Sequence, residues 1–265
     1  MLTVNRDLAD PVAKTLSEHA FSLLRRDLLS GLLPPNEKLH LQWLSATYRI
    51  GLSPLREALV RLTADGLVVA EGQRGFRGAP VSVLDMSHVM SARAEIEELA
   101  LRQCYAHADI NWESAVVAAF HRLSRSVSID IHTRKINEEW AVAHLDFHRS
   151  LVAACPNQWL LRFWQICYDQ TDRYRRLAVS LGTKVRDDLA EHRAMMEAAL
   201  LRDVERACQL SRDQITGTEA IVRKYFGSIS KTNELGNTAR PPKAPSILSA
   251  KEKKRRTNQQ VPGKR

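Results

Sequence analysis

Apolar side chains recur along residues 11–31 at the intervals of a helix buried on one face: Val12, Leu16, Ala20, Leu23, Leu24 and Leu28. The run stops at Gly31, a residue suited to ending a helix. The following Leu-Leu-Pro-Pro-Asn-Glu-Lys-Leu predicts an irregular connection, because two prolines cannot sit inside a helix. A second short helix is predicted over 40–48. Ser53 is predicted to cap a third, with Pro54 at its first helical position. That third helix turns Leu55, Ala58, Leu59 and Leu62 inward and leaves Ser53, Arg56, Glu57, Val60 and Arg61 outside. The period then shortens. Leu67–Glu71 and Phe76–Ala79 read as strands joined by Gly72-Gln73-Arg74-Gly75.

From Ser82 onward, long helical periodicity takes over, with almost no glycine or strand signal. Ser82 and Asp85 have capping-box spacing for a helix to about His107. Asn111 is predicted to cap the next, to about Val127. A third is predicted from about Ile136 to Ala154, and a fourth, after Cys155-Pro156-Asn157, to about Leu181. The last two join near Arg202-Asp203, with Asp203 as cap. Beyond Gly227 the Ser/Thr/Asn/Pro/Lys-rich sequence cannot bury a core and is predicted to be disordered. The fold class is therefore mainly α: a winged helix-turn-helix over 11–80, an all-helical bundle over 82–227, and a basic tail over 228–265.

The chain has 265 residues and a net charge of +9, enough length for roughly two domains. Ten of the basic residues lie in 228–265 against two acids, so the tail carries nearly all of the excess and the folded body is close to neutral. Overall charge thus says little about a specific nucleic-acid site. The four cysteines (Cys104, Cys155, Cys167, Cys208) lack metal-ribbon or disulfide-framework spacing, and no apolar run approaches the ~20 residues of a membrane span. No signal peptide is evident at the N-terminus. A cytoplasmic chain without membrane attachment is expected.

In a winged helix-turn-helix the third helix enters the major groove with its N-terminal residues near base edges. Arg56 lies close to that end and can reach a phosphate or a guanine edge. The hairpin glycines allow close backbone approach, and Arg74 and Arg77 can meet phosphates or the minor groove. The residues "LLRRDLLSGLLPPNEKLHLQWLSATYRIGLSPLREALVRLTADGLV…RGFRGAPVS" resemble the N-terminal half of GntR-type bacterial regulators. The resemblance covers nearly all of residues 15–82. It implies double-stranded operator DNA as partner and Gln42, Ser53, Pro54, Arg56, Arg61, Arg74 and Arg77 as the DNA-contacting set. Gln42 stands where relatives often carry arginine, and Leu52 where some carry a basic residue.

In the bundle, His144 and His148 are four residues apart and share a helix face. His192 lies eleven residues before Asp203 and Gln214 eleven after it, so a hairpin turning there sets them at similar height. Neutral imidazoles converging from different helices suit zinc, nickel or another divalent transition metal. The runs "RAEIEELALR", "HLDFHRSLVAACPNQWLLRFW", "YDQTDRYRRL", "EHRAMMEAALLRD" and "QLSRDQITGTE" resemble the FCD effector domain of the FadR-type branch, with CsiR-like regulators nearest. That resemblance implies a metal set of one Asp and three His. Here His148 and His192 match, His144 replaces the Asp, and Gln214 replaces the last His. Two readings stay open: a metal held by His144, His148 and His192, or a metal-free pocket in which Arg93, His144, His148, His192 and Gln214 hold an organic acid directly. Arg93 has its own alternative, a structural ion pair with Glu97. Arg173, Arg175 and Arg176 are expected mainly at surfaces or interfaces, with one of them able to face the pocket, and the five tryptophans in the core.

The resemblance implies a homodimeric transcription regulator, a repressor by the family's common behaviour, responsive to a small dicarboxylate or related catabolite. Two other functions are weighed beside it. A metal-dependent enzyme in the bundle needs a base beside the metal, and none falls at matching height. A ligand-independent DNA-binding protein driven by the basic tail predicts that binding vanishes when 228–265 is removed.

Overall fold

The structure, a computed structural model, describes residues 15–130, 132–133, 135–180 and 189–235. Helix α1 (Leu16–Leu29) opens with a reciprocal capping box: Thr15 Oγ1 accepts from Glu18 N and the Glu18 carboxylate accepts from Thr15 N, both at 3.1 Å. Residues 11–14 of the expected helix lie outside the described residues. Gly31 follows at φ +74, a left-handed turn that a side chain would strain.

The segment expected to be irregular holds a short strand, β1 (Lys38–Leu39), placed after both prolines. Helices α2 (Leu41–Tyr48) and α3 (Leu52–Ala64) come next. Ser53 does not cap α3. Gly51 is the N-cap, and Ser53 and Pro54 occupy the second and third helical positions. Proline is tolerated there because first-turn N–H groups have no intrahelical acceptor. Strand β2 (Val68–Ala70), a 3-10 turn (Gly72–Arg74) and β3 (Phe76–Gly78) complete an antiparallel sheet of order β1-β3-β2. Gly78 is required at its position: a Cβ there would lie 2.6 Å from Pro34 O. Leu24, Leu44, Leu55, Leu59, Leu62 and Leu67 are fully buried between these elements. They give the head a core of its own.

The body contains α4 (Val83–His107), α5 (Ile110–Ser124), α6 (Glu138–Val152), α7 (Gln158–Ser180), α8 (Leu189–Leu200) and α9 (Val204–Leu235). Ser82 caps α4, accepting from Asp85 N at 3.0 Å. Asp109 caps α5 through Trp112 N at 2.8 Å. Asn111, the expected cap, lies inside that helix and donates to Asp109 instead. Asp203 Oδ1 accepts from Arg206 N at 3.0 Å and caps α9. Helix α9 continues to Leu235, so the segment just past Gly227, expected to be disordered, is helical. Residues 236–265, with most of the tail's basic groups, lie outside the described residues.

Leu101, Phe120, Trp140, Phe147, Leu151 and Trp164 belong to the main body core, and Met86, Met90, Tyr174, Ile215 and Val222 to a second cluster joining α4, α7 and α9. Trp43 and Trp159 depart from the core expectation and are exposed. The four cysteines are buried and unpaired. No described helix is long and apolar enough to cross a membrane.

Head and body meet along α7. The Asp169 carboxylate receives Arg25 Nε at 2.8 Å, Gln170 Nε2 donates to Asp65 O at 2.9 Å, and Arg173 donates to Ala79 O. The Tyr174 hydroxyl accepts from Ser82 N at 3.2 Å and donates to Asp85 at 2.6 Å.

Candidate functional site

On the head, the outer face of α3 presents Leu52, Ser53, Arg56, Glu57 and Val60 to solvent. Gln42 is exposed on α2, and Arg74 in the turn between β2 and β3. Two other residues of the DNA-contacting set, exposed Arg61 and half-buried Arg77, have partners within the head. The Arg61 guanidinium lies 4.3 Å from the centre of the Phe21 ring on α1. Arg77 Nε donates to Glu71 at 2.7 Å and its NH1 to Asn36 O at 2.5 Å. Arg77 thus ties the base of the hairpin to the turn before β1. The hydrogen bond from Arg77 holds the Glu71 carboxyl below its ordinary range.

The second site lies inside the body. Trp140, His144 and His148 follow at four-residue spacing on α6, and His192 comes from α8. All three imidazoles are buried, and one ring nitrogen from each lies within 4.8 Å of the others. His148 Nε2 and His192 Nε2 are 3.2 Å apart. Gln214 Nε2, from α9, lies 2.9 Å from His192 Nε2, so the α8–α9 hairpin brings these two side chains together.

Burial, with further contributions from Arg175, His148 and His192, pushes the His144 imidazole well below its ordinary pKa. His148 is lowered in the same direction, by burial first and then by His192 and the two arginines. Neutral imidazoles follow, the form in which histidine binds a metal.

Tyr168 and Arg175 on α7 complete the surroundings; the sequence reading misses Tyr168 and names Arg175 only as one of three arginines. The Tyr168 hydroxyl lies 2.6 Å from His144 Nδ1. Of the three arginines, Arg175 is the one at the histidines: its Nη1 is 3.0 Å from His144 Nε2 and 3.3 Å from Nδ1. Two such similar distances place the guanidinium against the ring rather than along one lone pair. It also lies 4.8 Å from the centre of the Trp140 ring, and its charge is met by Asp172. Arg176 bridges Asp172 and Glu138, and Arg173 is buried at the head joint. The signal in the sequence is the spacing of 168, 172 and 175 on one face of α7. Only the position of α6 gives it meaning.

Arg93 forms the ion pair with Glu97 at 3.0 Å, donates to Thr171 Oγ1 at 2.8 Å, and lies over the Tyr168 ring. It is next to the histidines but committed to Glu97 on its own helix and to Thr171 on α7.

Three imidazole donors, drawn from two helices and backed by a hydroxyl on His144, fit a divalent transition metal. The buried His148 Nδ1 has no hydrogen-bond partner among the described residues, a second sign that the cluster is not self-satisfied.

Residues 16–77 match the family described as bacterial regulatory proteins, gntR family, and residues 88–217 match the FCD domain. The chain is 36% identical over 221 residues to the HTH-type transcriptional regulator BphR of Paraburkholderia xenovorans (strain LB400), covering 81% of this chain and 89% of that one. It is 32% identical over 205 residues to the HTH-type transcriptional repressor GlaR of Escherichia coli (strain K12), covering 76% and 93%. Among solved structures, E. coli McbR/YncC shares the fold, with a TM-score of 0.67 and 15% identity over 79% of this chain and 98% of that one. A putative transcriptional regulator GntR from Rhodococcus sp. RHA1 aligns with a TM-score of 0.59 and 18% identity, covering 78% and 96%.

Proposed function

Since the chain belongs to the gntR family of bacterial regulatory proteins, with an FCD domain behind its DNA-binding head, it is a DNA-binding transcription regulator and not an enzyme; we propose that it is a cytoplasmic, homodimeric repressor that senses a small carboxylate at the histidine cluster. The observation that carries this reading is the convergence of buried His144, His148 and His192, with Gln214 against His192.

In the proposed arrangement, two heads read two half-sites related by the dimer's symmetry. Arg56 reads base edges, Gln42, Ser53 and Arg74 contact the duplex nearby, and Arg61 and Arg77 exchange an internal partner for phosphate. The three histidines hold a divalent metal of the zinc or nickel class. Bound there, the metal would supply a Lewis-acidic centre for a carboxylate oxygen. The protein's own part is to keep His144 and His148 neutral through burial, to fix His144 with the Tyr168 hydroxyl, and to offer Arg175 as a cation beside them. Arg93 could join by yielding one hydrogen bond from Glu97 or Thr171. A carboxylate with a second acid group, or an amino-acid catabolite, suits this pairing of metal and guanidinium. The relative named as a repressor supports the same sign of action here.

Elemental analysis of gently purified protein, with melting before and after chelation, tests the metal. About one divalent ion per chain and a melting point lowered by chelator are expected. No ion, and a melting curve indifferent to chelator, would leave direct binding by Arg175, His144 and Gln214. Addition of small dicarboxylates should then still raise the melting point. If no acid does so in either state, sensing at this cluster is wrong.

A further inference from the structure

The packed face of α3 is fully accounted for: Leu55, Ala58, Leu59 and Leu62 are completely buried in the head core. Leu52 and Val60 are not part of it. They are 47% and 57% exposed, and neither belongs to the partly buried apolar residues that pack against that core. With Arg56 they follow at four-residue intervals, so the outer face of α3 carries a stripe of leucine, arginine and valine. Leu52 is the first helical residue, directly after the Gly51 N-cap, at the end of the helix that leads into the groove.

At that place Leu52 is exposed and outside the head core, so its side chain is available for an apolar contact when the helix enters a groove. In a major groove it has one complement: the 5-methyl of thymine is the apolar group among the hydrogen-bonding edges. Arg56 supplies the other half of a reading pair, since arginine takes guanine O6 and N7 together. Four residues of helix advance about 6 Å, or roughly two base-pair steps of ~3.4 Å. We propose that Leu52 is a base-reading residue that contacts a thymine methyl within about two base pairs of the base pair read by Arg56. This rests on α3 being the groove-entering helix.

The test uses full-length protein and begins from random duplex DNA, from which binding sites are selected. Each thymine of the recovered half-site is then replaced in turn by deoxyuridine, which lacks only the methyl. One replacement near the Arg56-dependent guanine should weaken binding about fourfold, the equivalent of ~0.8 kcal/mol for one buried methyl-sized group. Leu52→Ala, checked for an unchanged melting point, should bind thymine and deoxyuridine duplexes equally at that position. Leu52→Arg should enrich guanine there on reselection. Equal sensitivity of wild type and Leu52→Ala to every replacement, or indifference of wild type to all of them, overturns the proposal. Failure to recover any site, or recovery of the same sites at the same affinity by Arg56→Ala, would remove the underlying reading of α3 as well.

Discussion

His144 and His148 refuse protons that the unfolded chain accepts. Both are held well below the ordinary value of 6.5, chiefly by burial. Above pH 6.5 each is neutral in both states and makes no difference. Below it the unfolded chain binds protons that the native state excludes, so stability falls as the pH drops, by up to ~1.4 kcal/mol per pH unit for each histidine. Melting points measured between pH 7.5 and 5 should decline, and His148→Phe should flatten the decline even if it lowers the midpoint. Asp172 acts in a lower window. Burial alone would raise its pKa, but Arg175 and Arg176 outweigh that and hold it at about 2. The native carboxylate is thus favoured above the ordinary 3.8, and the advantage, on the order of 2 kcal/mol, is lost as pH falls from about 4 toward 2. Asp172→Asn should remove that second decline while destabilising the protein at neutral pH, where two guanidinium groups would lose their shared partner. Gly78 carries a steric prediction. With Pro34 O 2.6 Å from a would-be Cβ, Gly78→Ala should cost roughly 1–3 kcal/mol by forcing the connection before β1 outward. An unfolding free energy from denaturant titration lowered by less than a tenth of that would count against it.

Helix α7 faces two ways. Tyr168, Thr171, Asp172 and Arg175 look toward the histidines and Arg93, whereas Asp169, Gln170, Arg173 and Tyr174 hold α1, the end of α3, the end of β3 and the start of α4. A shift in α7 at the histidine end is therefore felt directly by the head, with no intervening element. The Arg25–Asp169 pair is the side-chain link best placed to carry it, because Asp169 is buried and receives two guanidinium nitrogens. Asp169→Asn should cost ~1–3 kcal/mol of stability. It should also weaken the effect of a bound acid on operator affinity several-fold, with acid binding itself unchanged. Calorimetric titration with the acid, and DNA titrations with and without it, separate the two. Full retention of the linked effect would place the coupling elsewhere.

At the scale of the molecule, charge and specificity are divided. The core of the head and the exposed face of α3 lie within residues 20–76, whereas most of the excess positive charge lies in the last thirty residues. Removing 236–265 should leave site-specific binding by the head in place. It should reduce the salt dependence of total DNA affinity, since each lost lysine or arginine near a phosphate releases one fewer counterion. Titrations of operator and random DNA at two salt concentrations would measure both. Loss of operator preference on truncation would give the tail a role in recognition beyond sequence-independent phosphate neutralisation.

Local chemistry decided what the sequence alone determined. Helical period and glycine stops marked the helices, the third helix's inward leucines were identifiable residue by residue, and the caps at Ser82 and Asp203 followed from side chains that bond their own neighbouring N–H groups. The i,i+4 spacing of His144 and His148 set those two on one helix face, and the symmetric distances of His192 and Gln214 from Asp203 set that pair at one height, because a helical hairpin converts sequence distance into height; the packing of α6 against the hairpin joined the two pairs. Near-equivalent local choices were not decidable in this way. Asp109 or Asn111, and Gly51 or Ser53, offer similar caps, and the packing of the flanking chain selected between them. Strand β1 has no sequence signal because two residues carry no period; it exists only because β3 lies alongside. Arg175 looks like any residue of a basic helix until α6 is laid against α7, and Arg61 and Arg77 look free until Phe21 and Glu71 are set beside them. Contacts between residues far apart in the chain have no signature in either neighbourhood, so only the tertiary structure fixed which cations stand at the histidines and which are held within the fold.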